Sequence, residues 1–196
     1  MFNLLLILLN KIIKKKNYHK HTIMKTQRLF KSILVLAMVF GTFTLNAQSK
    51  NIVETAISTE ATSTLVAAVK AADLVNVLSS EGPFTVFAPT NDAFAQLPDG
   101  TVANLLKPEN KETLQTVLKY HVVAGKYNAK DIIKMINEGK GKAEIRTVAG
   151  GTLEAMIKNG SVYVKDANGN AAKVTAADLD QTNGVIHVID KVVLPK

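Results

Sequence analysis

Cysteine and tryptophan are absent from all 196 residues, and beyond Lys31 the chain holds a single arginine, Arg146. Without thiols there can be no disulfide, no thiol nucleophile and no lipid-modified cysteine anchor. Acidic residues are missing from the start of the chain: none precedes Glu54, whereas eight of the 24 basic residues lie at or before Lys31. From Gln48 onward, 16 basic residues face 16 acidic ones, so the formal charge of +8 belongs to the N-terminal segment. A balanced domain with one arginine lacks the basic face that displaces counterions from phosphate, which argues against a nucleic-acid partner.

Long hydrophobic runs are also lacking. From Met24 a short basic region (Lys25, Arg28, Lys31) leads into an apolar stretch over Ile33–Phe40 and a polar exit at "TLNAQ". That run is far short of the roughly 20 residues a membrane-spanning helix needs. Its layout is that of a signal peptide over 24–47, cleaved after Ala47, although Leu45 is larger than the usual residue three positions before the cut. Residues 1–23 repeat the apolar-plus-basic theme without a cleavage site. They read as an upstream or non-native extension, with a basic amphipathic membrane anchor as the alternative. Residues 48–196 then form one domain, long enough for a self-sufficient core. The expected location is the periplasm or the cell exterior, with no stable membrane span once the signal is removed.

Within that domain the first half carries helical spacing. "NIVETAIS" and "STLVAAVKAADLVNVLSS" place Leu65, Val66, Val69 and Ala72 on one face, with Ser63 and Asp73 as expected N-caps. "FTVFA" alternates and is rich in β-formers, so it predicts a strand. Pro89 closes it, Thr90 caps a following helix, and Phe94 falls one turn in, on the side that folds back onto the strand. "KPENKETLQTVLKY" predicts a helix with Pro108 at its start. "YNAKDIIKMINEGKG" predicts another, with Asn128 as N-cap and Gly139 at its end. The second half turns to strands: "AEIRTVAG", "TLEAMIK", "SVYVKD", "AAKVTAADLD" and "GVIHVIDKVVLP". Asn159-Gly160 supplies a hairpin turn between the second and third. Helices first and strands after predict an α+β fold.

Candidate chemistry is sparse. Two histidines follow residue 47, His121 and His187, both in apolar, strand-like settings with no second ligand at metal spacing. A half-buried structural histidine fits them better than a general base. "DANGNAAKVTAAD" imitates a calcium loop, but its glycine comes too early and Ala177 stands where a bidentate glutamate is required, so it reads as a turn. Asn159-Gly160-Ser161 fits a glycosylation acceptor as well as a turn. There is no G-x-S-x-G stretch and no phosphate loop. These residues imply no cofactor, no metal and no enzyme.

Taken together, three stretches carry a resemblance. "FTVFAPTNDAF" resembles the first signature box of fasciclin domains, "YHVV" at Tyr120–Val123 their Tyr-His motif, and "TNGVIHVIDKVVLP" their second box. The resemblance implies a β-sandwich or wedge of about seven strands flanked by helices. On this likeness Thr85, Phe87, Pro89, Thr90, Phe94, Tyr120, His121, Asn183, Gly184 and His187 are motif positions with architectural roles, the stretch from Thr85 to Phe94 placing a central strand. It further implies a secreted adhesion or matrix-interaction module, whose partner is a cell-surface or matrix protein or polysaccharide. Some animal relatives bind integrins through an Asp-Ile pair before the second box and through the Tyr-His region. Asp178, Leu179 and Tyr120 are the matching partner-binding candidates here. A carrier of a small apolar ligand is the alternative, and a hydrolase using His121 a weaker one.

Overall fold

The computed structural model describes residues 50–196, so the expected extension, signal peptide and cleavage point lie outside the described residues. Four helical segments open the domain: α1 (Ile52–Ser58), a 3-10 turn (Glu60–Thr62), α2 (Ser63–Ala71) and α3 (Val75–Leu78). β1 (Phe84–Pro89) follows, then α4 (Asn91–Ala95), α5 (Thr101–Leu105), a 3-10 turn (Pro108–Asn110) and α6 (Lys111–Tyr120). β2 (Val122–Ala124) and α7 (Ala129–Glu138) lead into β3 (Lys142–Arg146), β4 (Thr152–Lys158), β5 (Ser161–Lys165), β6 (Ala171–Gln181) and β7 (Gly184–Ile189).

Among the described residues the seven strands form one sheet in the order β2-β1-β7-β6-β5-β4-β3. Neighbours are antiparallel except β1 and β7, which run parallel from Phe84↔Gly184 to Pro89↔Ile189. β6 is the hinge of the sheet. Its first residues pair with β5, and the remainder pairs with β7 across register shifts between Val174 and Leu179. Such bulges bend a strand and sharpen its twist, so the sheet curls towards closure. At the far end the Val148 amide donates to the Val122 carbonyl at 2.7 Å, joining the segment after β3 to β2. The result is a near-barrel with helices on it, in keeping with the expected α+β class.

β1 explains its own composition. Val86 and Ala88 point to a core shared with α1, α2, α3 and α6, where Ile52, Leu65, Val69, Leu118 and Ile186 are buried. Phe87 points the other way, into the strand-lined interior with Tyr120, Ile132, Ile136, Leu153, Val164 and Ile189. A strand covered on both faces needs no polar alternation. That is why "FTVFAP" is buried from Thr85 onward. β1 is nevertheless not the middle strand: it lies second from the edge, flanked by the three-residue β2. Thr90 ends it as expected, accepting from the Ala93 amide at 3.2 Å and so capping α4. Phe94 on α4 packs back against the helix-side core.

Several local expectations are revised. Tyr120 ends α6 as expected, but His121 is its C-cap and so does not sit on a strand. The N-cap of α2 is Thr62 rather than Ser63, and that of α3 is Leu74 rather than Asp73. Asp73 instead takes a left-handed φ of 54° in the turn between the two helices, where its carboxylate pairs with Lys111. The β4–β5 hairpin turns at Asn159 and Gly160 with φ of 51° and 72°, the positive values that this pair tolerates.

Candidate functional site: a buried network of motif residues

His121 and His187 are 2% and 1% exposed, and each has both ring nitrogens engaged. His121 Nδ1 donates to the Val117 carbonyl one turn back at 2.8 Å, and its Nε2 accepts from the Val193 amide at 3.3 Å. It therefore ties the end of α6 to the segment after β7. Burial drives its pKa down from 6.5 to about 4, against the raising effects of the Val117 carbonyl and Asp166, so the ring is neutral. A ring sealed from solvent with both nitrogens occupied has no lone pair to offer a substrate.

His187 joins three other segments. Its Nε2 donates to the Tyr127 carbonyl at 2.8 Å and its Nδ1 accepts from the Asp178 amide at 3.3 Å. Its ring lies 5.6 Å from that of Phe87, centroid to centroid. Thr85 grips the same loop: its hydroxyl donates to the Gly125 carbonyl at 2.7 Å and accepts from the Tyr127 amide at 2.9 Å. The two boxes thus fix the chain between β2 and α7 from adjacent, parallel strands.

Tyr120 is 1% exposed, and its hydroxyl donates to the Thr152 carbonyl at 2.7 Å while accepting from the Ala167 amide at 3.2 Å. Burial raises its pKa, with the nearby Asp166 carboxylate adding to the shift. A Cβ on Gly151 would stand 2.7 Å from the Tyr120 ring, so glycine lets the ring seat. Tyr120 presents no surface to a partner; its expected binding role is corrected by its burial. Asp178 and Leu179 differ. Both are exposed, Leu179 at 40%, on the bulged part of β6, and Asp178 holds a left-handed φ of 58°. Yet Asp178 Oδ1 accepts from the Ala129 amide at 2.7 Å, satisfying a free donor in the first turn of α7.

Asn183, in the β6–β7 turn, is a clamp. Its Oδ1 accepts from the Ile52 amide at the start of α1, and its Nδ2 donates to the carbonyls of Leu78, at the end of α3, and Ser80 just beyond it. Gly184 beside it lies so close to β1 that a Cβ would meet the Phe84 carbonyl at 2.0 Å. Sequence reasoning passed over Asp166. Its carboxylate, 3% exposed, accepts from the amides of Asn168, Asn170 and Leu194 and from Asn170 Nδ2. The signal was present in "DANGN": an aspartate opening an Asn-Gly turn accepts from the amides that follow it.

Other chemistry is thin. Among the described residues no three histidine, cysteine or acidic side chains group as a metal site, and no helix is long and apolar enough to cross a membrane. The apolar space between helices and sheet, lined by Ile52, Leu65, Val69, Val86, Leu118 and Val122, encloses about 40 Å³. That is room for a few waters and far below the few hundred cubic ångströms of a ligand pocket.

The geometry defines a helix-covered near-barrel whose motif side chains are internal fasteners. The chain belongs to the fasciclin domain family, whose model matches residues 60–195. Similar proteins include Protein sll1483 of Synechocystis sp., 56% identical over 74% of this chain and 73% of that one. Transforming growth factor-beta-induced protein ig-h3 of Sus scrofa is 40% identical over 68% of this chain and 17% of its own length. Among solved structures, a FAS1 domain pair from the insect cell adhesion molecule fasciclin I superposes with a TM-score of 0.53 at 22% identity, over 64% of this chain and 42% of that one.

Proposed function

We propose that this protein is a secreted interaction module, working in the periplasm or outside the cell, that binds cell-surface or matrix polymers through its exterior and performs no catalysis. The observation that carries the reading is the fate of the motif residues. Thr85, Tyr120, His121, Asn183 and His187 all spend their polar atoms inside the domain. What is left for function is the surface. Kinship with proteins such as transforming growth factor-beta-induced protein ig-h3, and the shared fold of an insect cell adhesion molecule, support the same reading. Asp178 and Leu179, exposed on the bulge, remain the candidate contact residues from the motif region.

The test is retention of the protein on native envelope and matrix polymers, beside a His121→Ala variant. The expected result is retention by wild type and a variant whose binding falls only as its folded fraction falls. No retention on any polymer would sink the interaction reading. A variant of unchanged stability that had lost turnover of some substrate would replace it with a hydrolase.

A further inference from the structure

The outward face of β3–β6 carries a side-chain arrangement that the fold does not use. Met156 on β4 and Tyr163 on β5 stand directly opposite each other, half-buried on the solvent side of the sheet. Cross-strand register puts Lys142 beside Met156 and Lys173 beside Tyr163. Along the strands, two residues away on the same face, stand Lys158 and Glu154 on β4 and Lys165 and Ser161 on β5. An apolar pair is thus ringed by four lysines, one glutamate and one hydroxyl. Glu154 bridges Lys165 at 2.6 Å and Lys142 at 3.3 Å, and these bonds hold its carboxyl below the usual range. Lys158 and Lys173 have no ion-pair partner among the described residues. The surplus is local: residues 50–121 hold five lysines against eight acids, residues 122–196 eleven basic residues against eight acids.

From this we infer that the β3–β6 face binds an acidic polysaccharide, a linear polymer of uronic acid type. The inference rests on the surface-binding reading above and adds to Asp178 and Leu179 a second contact site, centred on β4 and β5, with its partner class. The face is the open surface of a sheet, so it suits a chain laid across it. Lys142 and Lys173 are three strand spacings apart, roughly 14 Å, so the partner must repeat its negative charge along its length. The central Tyr163–Met156 pair offers an apolar platform for a sugar ring, and the lysines around it take the carboxylates. Nucleic acid fits poorly, because it carries a charge every 1.7 Å or so of duplex and would crowd Glu154 and the nearby Glu144.

The experiment is titration of the protein with polygalacturonate, dextran and a single-stranded oligonucleotide at low and high salt. Wild type is compared with Lys158→Glu/Lys173→Gln and with Tyr163→Ala. Saturable binding to polygalacturonate that weakens with salt is expected, with none to dextran. The double variant, its melting temperature unchanged, is expected to bind at least tenfold more weakly, and Tyr163→Ala severalfold more weakly. Undiminished binding by the double variant would place the site elsewhere and overturn the inference. Tighter binding of the oligonucleotide at equal charge would overturn the partner class. Retention on native matrix by wild type and double variant alike, without uronate binding, would leave the interaction reading standing while removing this one.

Discussion

The two cores on either side of β1 are built on different principles. On the helix side, Ile52, Leu65, Val69, Leu118 and Ile186 meet with few directional contacts, and fit is a matter of aliphatic volume. On the strand side, the apolar packing around Phe87, Leu153 and Val164 is bordered by Thr85, Tyr120, His121, Asp166 and His187, every one buried and hydrogen-bonded. Buried polar groups are costly when a partner is missing, so each permits few alternative arrangements. The helix layer is held mainly by packing, with the Asn183 clamp as its directional tie, and the near-barrel by a whole set of such ties. Thr85, Phe87, Tyr120, His121 and His187 lie on the second side, whereas Phe94 packs on the helix side and Asn183 ties α1 and α3 to the sheet.

The largest test of this contrast is Phe87→Ala. Phe87 is fully buried between the two boxes, and truncation is expected to cost about 3–5 kcal/mol of unfolding free energy in denaturant. An unchanged midpoint would mean that the interior does not depend on this ring.

Acid sharpens the comparison next. Folded His121 titrates at about 4 instead of 6.5, so the unfolded chain takes up a proton that the native ring refuses. Its contribution is full above pH 6.5 and is lost as pH falls towards 4, a change of about 3 kcal/mol. The wild-type stability profile should therefore drop through this window relative to His121→Ala, which has no such ring. Parallel profiles would show the ring to be less sealed than its contacts imply.

Tyr120→Phe isolates two hydrogen bonds while keeping the ring. It leaves the Thr152 carbonyl and the Ala167 amide unpaired, at about 1–3 kcal/mol, measured by chemical unfolding. At the small end stands Leu118→Met on the helix side, a near volume-conserving swap expected to cost under about 1.5 kcal/mol. If that change proved worse than Tyr120→Phe, the distinction between the two cores would fail.

What could be read from the chain beforehand follows the same division. Strand β1, the Thr90 cap and the Asn159-Gly160 turn were legible because each depends on a few neighbouring residues. The end of α6 was not. Tyr120 fell inside the expected helix, but His121 in the β-former-rich "KYHVV" closes that helix instead of opening a strand, and its partner Val193 lies far along the chain. Asp73 looked like a cap by local rules but pairs with Lys111 instead. At the candidate site, the motif positions were readable, whereas the burial of Tyr120 and the role of Asp166 were not. Both depend on the segments around β5 and after β7 arriving beside α6.

The Asn183 clamp also has a kinetic side. It bonds to Ile52 across 131 residues and to Leu78 across 105, and β7 beside it supplies the parallel neighbour of β1. Contacts of such separation must close long loops before they return any stabilisation, and they slow folding. The ties that fix α1 and α3 to the sheet are therefore completed only once β7 has arrived.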